Sequence, residues 1–239
     1  MKTKASLSFD KPYTTVDVVI FSLIENKLKV LLIKRSNEIN EPFPGGWALV
    51  GGFIDVAQDQ TLEAAAARKL YEKTGVKAAY LEQLGSWGSA TRDPRGWSAT
   101  HVYFSMLAMD NLQNPKNGAN AEDAQWFDVK ENGVACTLAF DHAQLLAEAI
   151  QRLRNKVEYT SLPAFLMPKL FTLKELQTAY EAILGRALDK SAFRTRMLAA
   201  DLLEATAHYQ EAANRPAQLY QLKSNHQPVY FQRLFNPAK

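Results

Sequence analysis

The first two thirds of the chain alternates short apolar runs, rich in β-branched residues, with polar turns, as in strands of a sheet. The runs predict strands at Val16–Ile24, Leu28–Ile33, Trp47–Val50, Ala79–Trp87, Ala99–Ala108 and Trp126–Val129. Helical spacing appears at Thr61–Thr74, where Thr61 is a plausible N-cap and Gly75 a left-handed C-cap, and at Asp141–Tyr159, with Asp141 as the expected cap. A mixed sheet with helices is therefore expected.

The last third has a different pattern, which begins after the irregular, proline-containing stretch 160–168. Thr172 followed by Glu175 is a capping-box signature for one helix, and Asp189 precedes a second helix at Lys190–Ala200. Apolar segments at 202–210 and 219–222 then flank a polar tip, as in a hairpin. Helix, turn, helix and hairpin predict a winged helix, so the domains are expected at residues 1–159 and 160–239.

The second of these helices carries the chemistry that DNA recognition requires. Phe193, Met197 and Leu198 are expected on its core side, with small and polar residues opposite and basic residues flanking. A solvated charged face is the ordinary alternative for one helix, as a solvated tail is for the N-terminal arm. The predicted DNA contacts are Lys2, Lys4, Thr172, Lys174, Lys190, Ser191, Arg194, Thr195, Arg196 and Arg215.

Charge is distributed unevenly between the two predicted domains. Residues 1–159 contain 18 Lys and Arg against 19 Asp and Glu, whereas residues 160–239 contain 10 against 6, a net charge of +4. This asymmetry favours a polyanion-binding C-terminal module. The single cysteine, Cys136, excludes an intramolecular disulfide framework, and no apolar run is long enough for a membrane span. A cytoplasmic, nucleoid-associated protein is expected.

The segment GGFIDVAQDQTLEAAAARKLYEKTGV, residues 51–76, resembles the Nudix box, whose pattern is G-x5-E-x7-R-E-U-x-E-E-x-G-U with U a bulky aliphatic. Arg68, Leu70, Glu72, Gly75 and Val76 are in register with it. An ordinary amphipathic helix after a Gly-Gly turn is the alternative. The resemblance implies a Nudix α/β/α sandwich with a mixed sheet, followed here by the winged helix, an α+β chain.

The departures from the box concern the acids that bind divalent cations in this family. Lys69 and Lys73 stand at two of the acidic positions of the helix, and Gln60 stands at the upstream one when counted back from Arg68. One carboxylate between two ammonium groups is a poor Mg²⁺ site. No metal site, no catalytic residue and no required cofactor are therefore predicted, and Lys69 and Lys73 are hypothesised to replace the charge of the missing cations.

A Nudix-like domain with a damaged box before a basic winged helix resembles the NrtR family of transcriptional regulators of NAD metabolism. The DPRGW loop, residues 93–97, resembles that of Nudix ADP-ribose pyrophosphatases, although a solvated Pro-Gly turn is the alternative. The resemblance implies a homodimeric repressor on palindromic operators of NAD biosynthesis and salvage genes, released by ADP-ribose or a related nucleotide. An active ADP-ribose pyrophosphatase with an accessory C-terminal domain is the rival interpretation. The expected effector residues are Arg35, Trp47, Gly51, Gly52, Arg68, Glu72, Arg92, Arg95 and Trp97.

Overall fold

The computed structural model describes residues 11–112, 124–211, 216–223 and 228–231. Its strands are β1 Tyr13–Ile24, β2 Lys27–Lys34, β3 Trp47–Ala48, β4 Val50–Phe53, β5 Tyr80–Ser89, β6 Ser98–Met106, β7 Ala124–Asp128, β8 Phe171–Thr172, β9 Leu203–Gln210 and β10 Ala217–Leu222. The α-helices are α1 Leu62–Thr74, α2 His142–Val157, α3 Leu173–Leu184 and α4 Lys190–Ala199.

A seven-stranded mixed sheet forms the N-terminal part, with β1 at its centre. β1 runs parallel to β6 along nine residue pairs, and its other edge is shared by two antiparallel partners, β4 at residues 15–18 and β2 at residues 21–24. This division of one edge opens a gap between β2 and β4 beside the middle of β1. A cleft, described below, lies beside residues 15–17 of β1 and residues 51–53 of β4.

Helices cover both faces of this sheet, as the alternation of apolar residues along β1 requires. Val16, Val18 and Ile20 are fully buried against the α1 side, while Val19 and Phe21 are fully buried against the α2 side. The α/β/α sandwich predicted from the sequence is confirmed. The helix predicted at residues 61–74 is also confirmed, because the Thr61 hydroxyl accepts from Ala64 N and Gly75 has a left-handed φ of 68°.

The C-terminal part is a winged helix, as predicted. The Thr172–Glu175 capping box begins α3, and the Asp189 carboxylate caps α4 by accepting from Ala192 N. Strands β9 and β10 form the hairpin, and β8 extends it to three strands. The apolar core is continuous from α2 into α3, because Leu176, Ala179 and Ile183 belong to the same buried cluster as Phe21 and Leu146. The boundary between residues 159 and 160 stays a prediction.

Three details differ from the sequence prediction. The strand expected at Trp47–Val50 is divided at Leu49, whose backbone N–H donates to His142 instead of to a neighbouring strand. Asp141 begins α2 without a side-chain capping bond, because Arg92 takes its carboxylate. Leu198 is 43% exposed instead of facing the core. In the described ranges, no helix is both long and apolar enough to span a bilayer.

Candidate effector cleft and DNA-recognition surface

A cleft of about 170 Å³ lies where β1, β4, the loop after β5 and the start of α2 meet. Five of the nine predicted effector residues line it: Arg35, Gly51, Gly52, Arg92 and Arg95. They come from three separate places in the sequence, and the fold brings them together because β4 and β6 flank the same end of β1. Three of the five are arginines, which suits an anionic ligand.

Arg92 forms the floor of this cleft in a buried cluster of charges. Its side chain is only 6% exposed, and it donates to both carboxylate oxygens of Asp141 at 2.9 and 2.8 Å. Asp17 lies on the other side at 3.7 Å and also accepts from the Thr100 hydroxyl at 2.7 Å. Arg92 is therefore fully used inside the protein and shapes the cleft, leaving the other two arginines to face a ligand.

His142 completes the buried cluster at the first residue of α2. Its Nδ1 accepts a hydrogen bond from Leu49 N at 3.0 Å, so its proton is on Nε2, which lies 3.6 Å from Asp17 Oδ1. Burial lowers the pKa of the imidazole, against the opposite effects of Asp17 and Asp141, so the ring is neutral at pH 7. His142 thus holds the backbone at Leu49 against the start of α2, beside Asp17.

Arg35 and Arg95 are each fixed on one side and open on the other. Arg35 donates to Glu41 at 2.6 Å and to Pro42 O at 2.8 Å, while Arg95 donates to Asp93 at 2.8 and 3.1 Å. Neither Nη1 group donates a hydrogen bond to any part of the chain that the structure describes. Two oriented guanidinium groups with free donors are thus available at one cleft.

The two glycines of the cleft allow close packing that a side chain would prevent. A Cβ atom at Gly51 would lie 2.1 Å from Asp17 Oδ1 and 2.5 Å from Val16 O. Gly52 has a φ of 149°, a backbone conformation that favours glycine, and a Cβ atom there would lie 3.2 Å from Lys69 Cε. The Lys69 side chain of α1 therefore lies directly against the cleft.

Arg68 and Glu72 do not line the cleft but belong to a charge network on α1 next to it. Arg68 holds both oxygens of Asp59, at 2.8 and 2.6 Å, and also donates to Glu72 at 2.7 Å. The Asp59 side chain is only 2% exposed, and the hydrogen bonds from Arg68 lower its pKa to about 2. The sequence analysis counted Gln60 back from Arg68 and did not single out its neighbour Asp59, which is the residue that Arg68 contacts.

The residues of the network do not fit a divalent cation. Glu72 is the one helix carboxylate kept from the box, and its oxygens already accept from Arg68 at 2.7 Å and from Lys69 at 3.1 Å. Burial raises the pKa of Glu72, but these two hydrogen bonds outweigh burial and leave it lowered. Across the described residues, His, Cys, Asp and Glu side chains do not gather in threes in a way that would hold a metal.

Neither predicted tryptophan lies in the cleft. Trp47 packs edge-on against Phe127 at 4.8 Å, on the face of the sheet that α2 covers. Trp97 is 51% exposed and lies against Gly88. The aromatic rings that line the cleft are instead those of Phe53 and Phe140, each stacked with an arginine, at 5.2 Å for Arg95 and 4.8 Å for Arg35.

Helix α4 presents a solvent-exposed polar face in the C-terminal part. Phe193 and Met197 are buried, whereas Lys190, Ser191, Arg194, Thr195 and Arg196 are exposed, as expected. The helical spacing places Ser191 and Thr195 opposite the buried pair, with Arg194 on one flank and Arg196 on the other. Leu198 joins Ser191 and Thr195 on the outward side, which sequence analysis had not predicted.

The other predicted DNA contacts fall into three groups. Lys174 is exposed and lines, with Lys190 and Arg194, a groove of about 880 Å³ between the two helices and the β9–β10 hairpin. Thr172 is buried and its hydroxyl is used in the capping box, so its side chain is not presented for a DNA contact. Lys2, Lys4 and Arg215 lie outside the described residues.

The fold and the two sites define a class of protein: a Nudix domain joined to a winged-helix DNA-binding domain. Two family models match the chain accordingly, the NUDIX domain at residues 13–152 and the NrtR DNA-binding winged helix domain at residues 163–222. The chain is 46% identical to the "ADPR responsive transcriptional repressor NtrR" of Acinetobacter baylyi, over 95% of this chain and 88% of that protein. The chain belongs to the NrtR family.

Solved structures of the NrtR protein of Shewanella oneidensis are similar to this chain in both of its domains. Its complex with a 27mer DNA superposes with a TM-score of 0.82 and 40% identity, over 92% of this chain and 98% of that one. Its Nudix domain complexed with ADP ribose gives a TM-score of 0.52 and 41% identity, over 61% of this chain and 91% of that one. The similarity to NrtR thus extends through both domains.

Proposed function

We propose that this protein is a homodimeric transcriptional repressor that binds palindromic operator DNA of NAD biosynthesis or salvage genes. ADP-ribose, or a closely related nucleotide, binds in the Nudix cleft and releases the DNA without being hydrolysed. The observation that carries the proposal is the pair of oriented guanidinium groups of Arg35 and Arg95 at one cleft, in a chain that also presents the basic helix α4.

The chemistry of the cleft suits a nucleoside diphosphate. A diphosphate offers several anionic oxygens, and an arginine whose geometry is already fixed loses little side-chain entropy when it binds one of them. In this proposal Arg35 and Arg95 bind the diphosphate, and Phe53 and Phe140 replace Trp47 and Trp97 as the aromatic wall. Arg92 holds the floor, while Arg68 and Glu72 hold α1 beside it. The ADP-ribose complex of the Shewanella relative's Nudix domain supports ADP-ribose as the ligand.

The arrangement of α4 supports DNA binding by the winged helix. In this proposal Ser191 and Thr195 face base edges, while the exposed side chains of Lys174, Lys190, Arg194 and Arg196 contact phosphates. The DNA complex of the Shewanella relative supports DNA as the partner of this domain. A dimer would present two such helices to the two halves of a palindrome, because a twofold axis of the protein then coincides with that of the operator.

The rival interpretation, a magnesium-dependent ADP-ribose pyrophosphatase, has one specific observation against it. Glu72 is already bound by two cationic side chains, and Lys69 lies where an acid of the box is expected. The Lys69 ammonium group instead adds a positive charge beside Gly52. We propose that this amine stabilises the bound diphosphate in place of a metal ion. Lys73, which lies one turn further along α1 than the lysine beside Gly52, contributes less.

A gel-shift titration tests the repressor proposal directly. Full-length protein is bound to the promoter DNA of an NAD gene, and ADP-ribose is added at a fixed protein concentration without magnesium. We expect a shifted band that disappears as ADP-ribose increases, since the ligand favours the arrangement that does not bind DNA. A parallel assay with Mg²⁺ should release no AMP above background. Rapid AMP release, or a promoter that remains unbound, would reject the proposal.

The lysine hypothesis is tested with a matched pair of variants on the same helix. Lys69→Ala should weaken ADP-ribose binding about tenfold, since a hydrogen bond to a charged group contributes on the order of 1.5 kcal/mol or more. Lys73→Ala removes the same charge from the same helix and should change the affinity less than threefold. Calorimetry of the two variants checks this, and equal affinities for Lys69→Ala and wild type would disprove the role of Lys69.

A further inference from the structure

Helix α2 connects the effector cleft with the region of the winged helix. Its first residues, Asp141 and His142, belong to the buried cluster under the cleft, through the contacts with Arg92 and Leu49 N. The helix has sixteen residues and ends at Val157, so it is roughly 24 Å long. A displacement of its start is therefore carried to its end, because a packed helix moves as a rigid element.

A short segment near the C-terminus is attached directly to the residues that follow α2. Ser161 N donates to Val229 O at 3.0 Å, and Phe231 N donates to Tyr159 O at 2.8 Å. The Ser161 hydroxyl also accepts from Val229 N at 2.9 Å. These hydrogen bonds make an antiparallel bridge, which we call the clasp, between residues 159–161 and Val229–Phe231. The clasp therefore joins Val229–Phe231 to the chain immediately after α2.

Phe231, the last residue of the clasp, contacts helix α4. The Phe231 ring lies under the Arg196 guanidinium, 5.4 Å from it, in cation–π geometry. Both residues line a groove of about 1050 Å³ between α4 and the end of α2. Among the described residues Arg196 forms no salt bridge, so the ring is the contact that orients its guanidinium. Phe231 also lies outside the matched winged-helix segment, residues 163–222.

We propose that the clasp couples the effector cleft to α4, and that Phe231 is the positioning residue for Arg196 on the DNA. In the ligand-free protein the ring holds the guanidinium on the flank of α4, where it meets a DNA phosphate. Ligand binding shifts the start of α2, and the clasp transfers that shift to Phe231 and so to Arg196. This inference rests on the proposed function, and it names the regulatory route between the two sites.

Three variants of the full-length protein separate positioning from packing. Phe231→Leu keeps apolar volume but removes the aromatic face, and should weaken operator binding without ligand about fivefold, the effect of about 1 kcal/mol of cation–π energy. It should also reduce the factor by which ADP-ribose weakens operator binding. Phe231→Tyr keeps the ring and should restore both properties. Tyr71→Ala, an exposed aromatic residue on α1, is the matched control and should change neither.

A double-mutant cycle shows whether Phe231 acts through Arg196. We expect Phe231→Leu to have no further effect on operator affinity in an Arg196→Ala background, because the two residues form one unit. Independent effects of the two changes, or a Phe231→Leu variant with the wild-type response to ADP-ribose, would overturn the proposal. Failure of the proposed function is recognised separately, since wild-type protein would then itself show no operator binding or no response to ADP-ribose.

Discussion

Replacing Arg92 by alanine is expected to lower the free energy of unfolding by about 3–5 kcal/mol, the usual effect of breaking a buried ion pair from one side. Arg92 is 6% exposed and is the cation that Asp141 and Asp17 share. Its removal leaves two carboxylates close to each other without a cationic partner, in a place that water reaches poorly. Urea unfolding followed by circular dichroism measures the change.

The matched control for Arg92 is an arginine whose ion pair faces solvent. Arg186 contacts Glu158 at 2.8 Å, but both side chains are more than half exposed. Arg186→Ala should therefore change the free energy of unfolding by less than about 1 kcal/mol, since water screens exposed pairs. If both variants lost a similar free energy of unfolding, burial would not be the reason why the Arg92 cluster stabilises the protein.

Gly51→Ala is expected to destabilise the protein by on the order of 3 kcal/mol, at the upper end for overpacking. The added methyl group would lie 2.1 Å from Asp17 Oδ1 and 2.5 Å from Val16 O, and both atoms belong to the central strand β1. To relieve this steric clash, either strand β1 or the Asp17 carboxylate, which faces Arg92, would have to move. The variant should also lose ADP-ribose affinity, because the cleft is built on the same contact.

Gly133→Ala provides the comparison for this glycine. A Cβ atom at Gly133 would meet nothing within 4 Å, and its backbone is not in the left-handed region. Its stability should therefore remain within about 1 kcal/mol of wild type. Thermal melting of the two variants side by side checks both expectations. Equal melting temperatures for Gly51→Ala and Gly133→Ala would show that β1 can shift at little cost to accommodate the added methyl group.

Local patterns predicted the elements well because each element carries its own signals. The Thr61 cap, the Gly75 stop and the Thr172–Glu175 capping box are short-range features, and all are present in the structure. The same was true of the buried face of α4 at Phe193 and Met197, since helical spacing determines it. The winged helix could therefore be recognised from its sequence before its fold was known.

The composition of the cleft was less predictable, because it depends on long-range pairing. Arg92 and Asp141 are 49 positions apart, and nothing in either segment indicates that they meet. Trp47 was expected in the cleft, but the register of β3 with β2 places its ring against Phe127. Asp59 was not singled out, because its contact with Arg68 spans nine positions and depends on how the loop before α1 folds back onto the helix.

The continuous core between α2 and α3 limits how this protein can be recombined. Leu176 and Ile183 of the winged helix pack in the same buried cluster as Leu146 and Phe21 of the Nudix domain. The winged helix therefore has no complete hydrophobic core of its own. A chimera that carries the winged helix of another regulator would have to preserve the apolar contacts between α2 and α3 as well as the connecting residues. A new ligand specificity should therefore be easier to engineer by changing residues of the cleft than by exchanging whole domains.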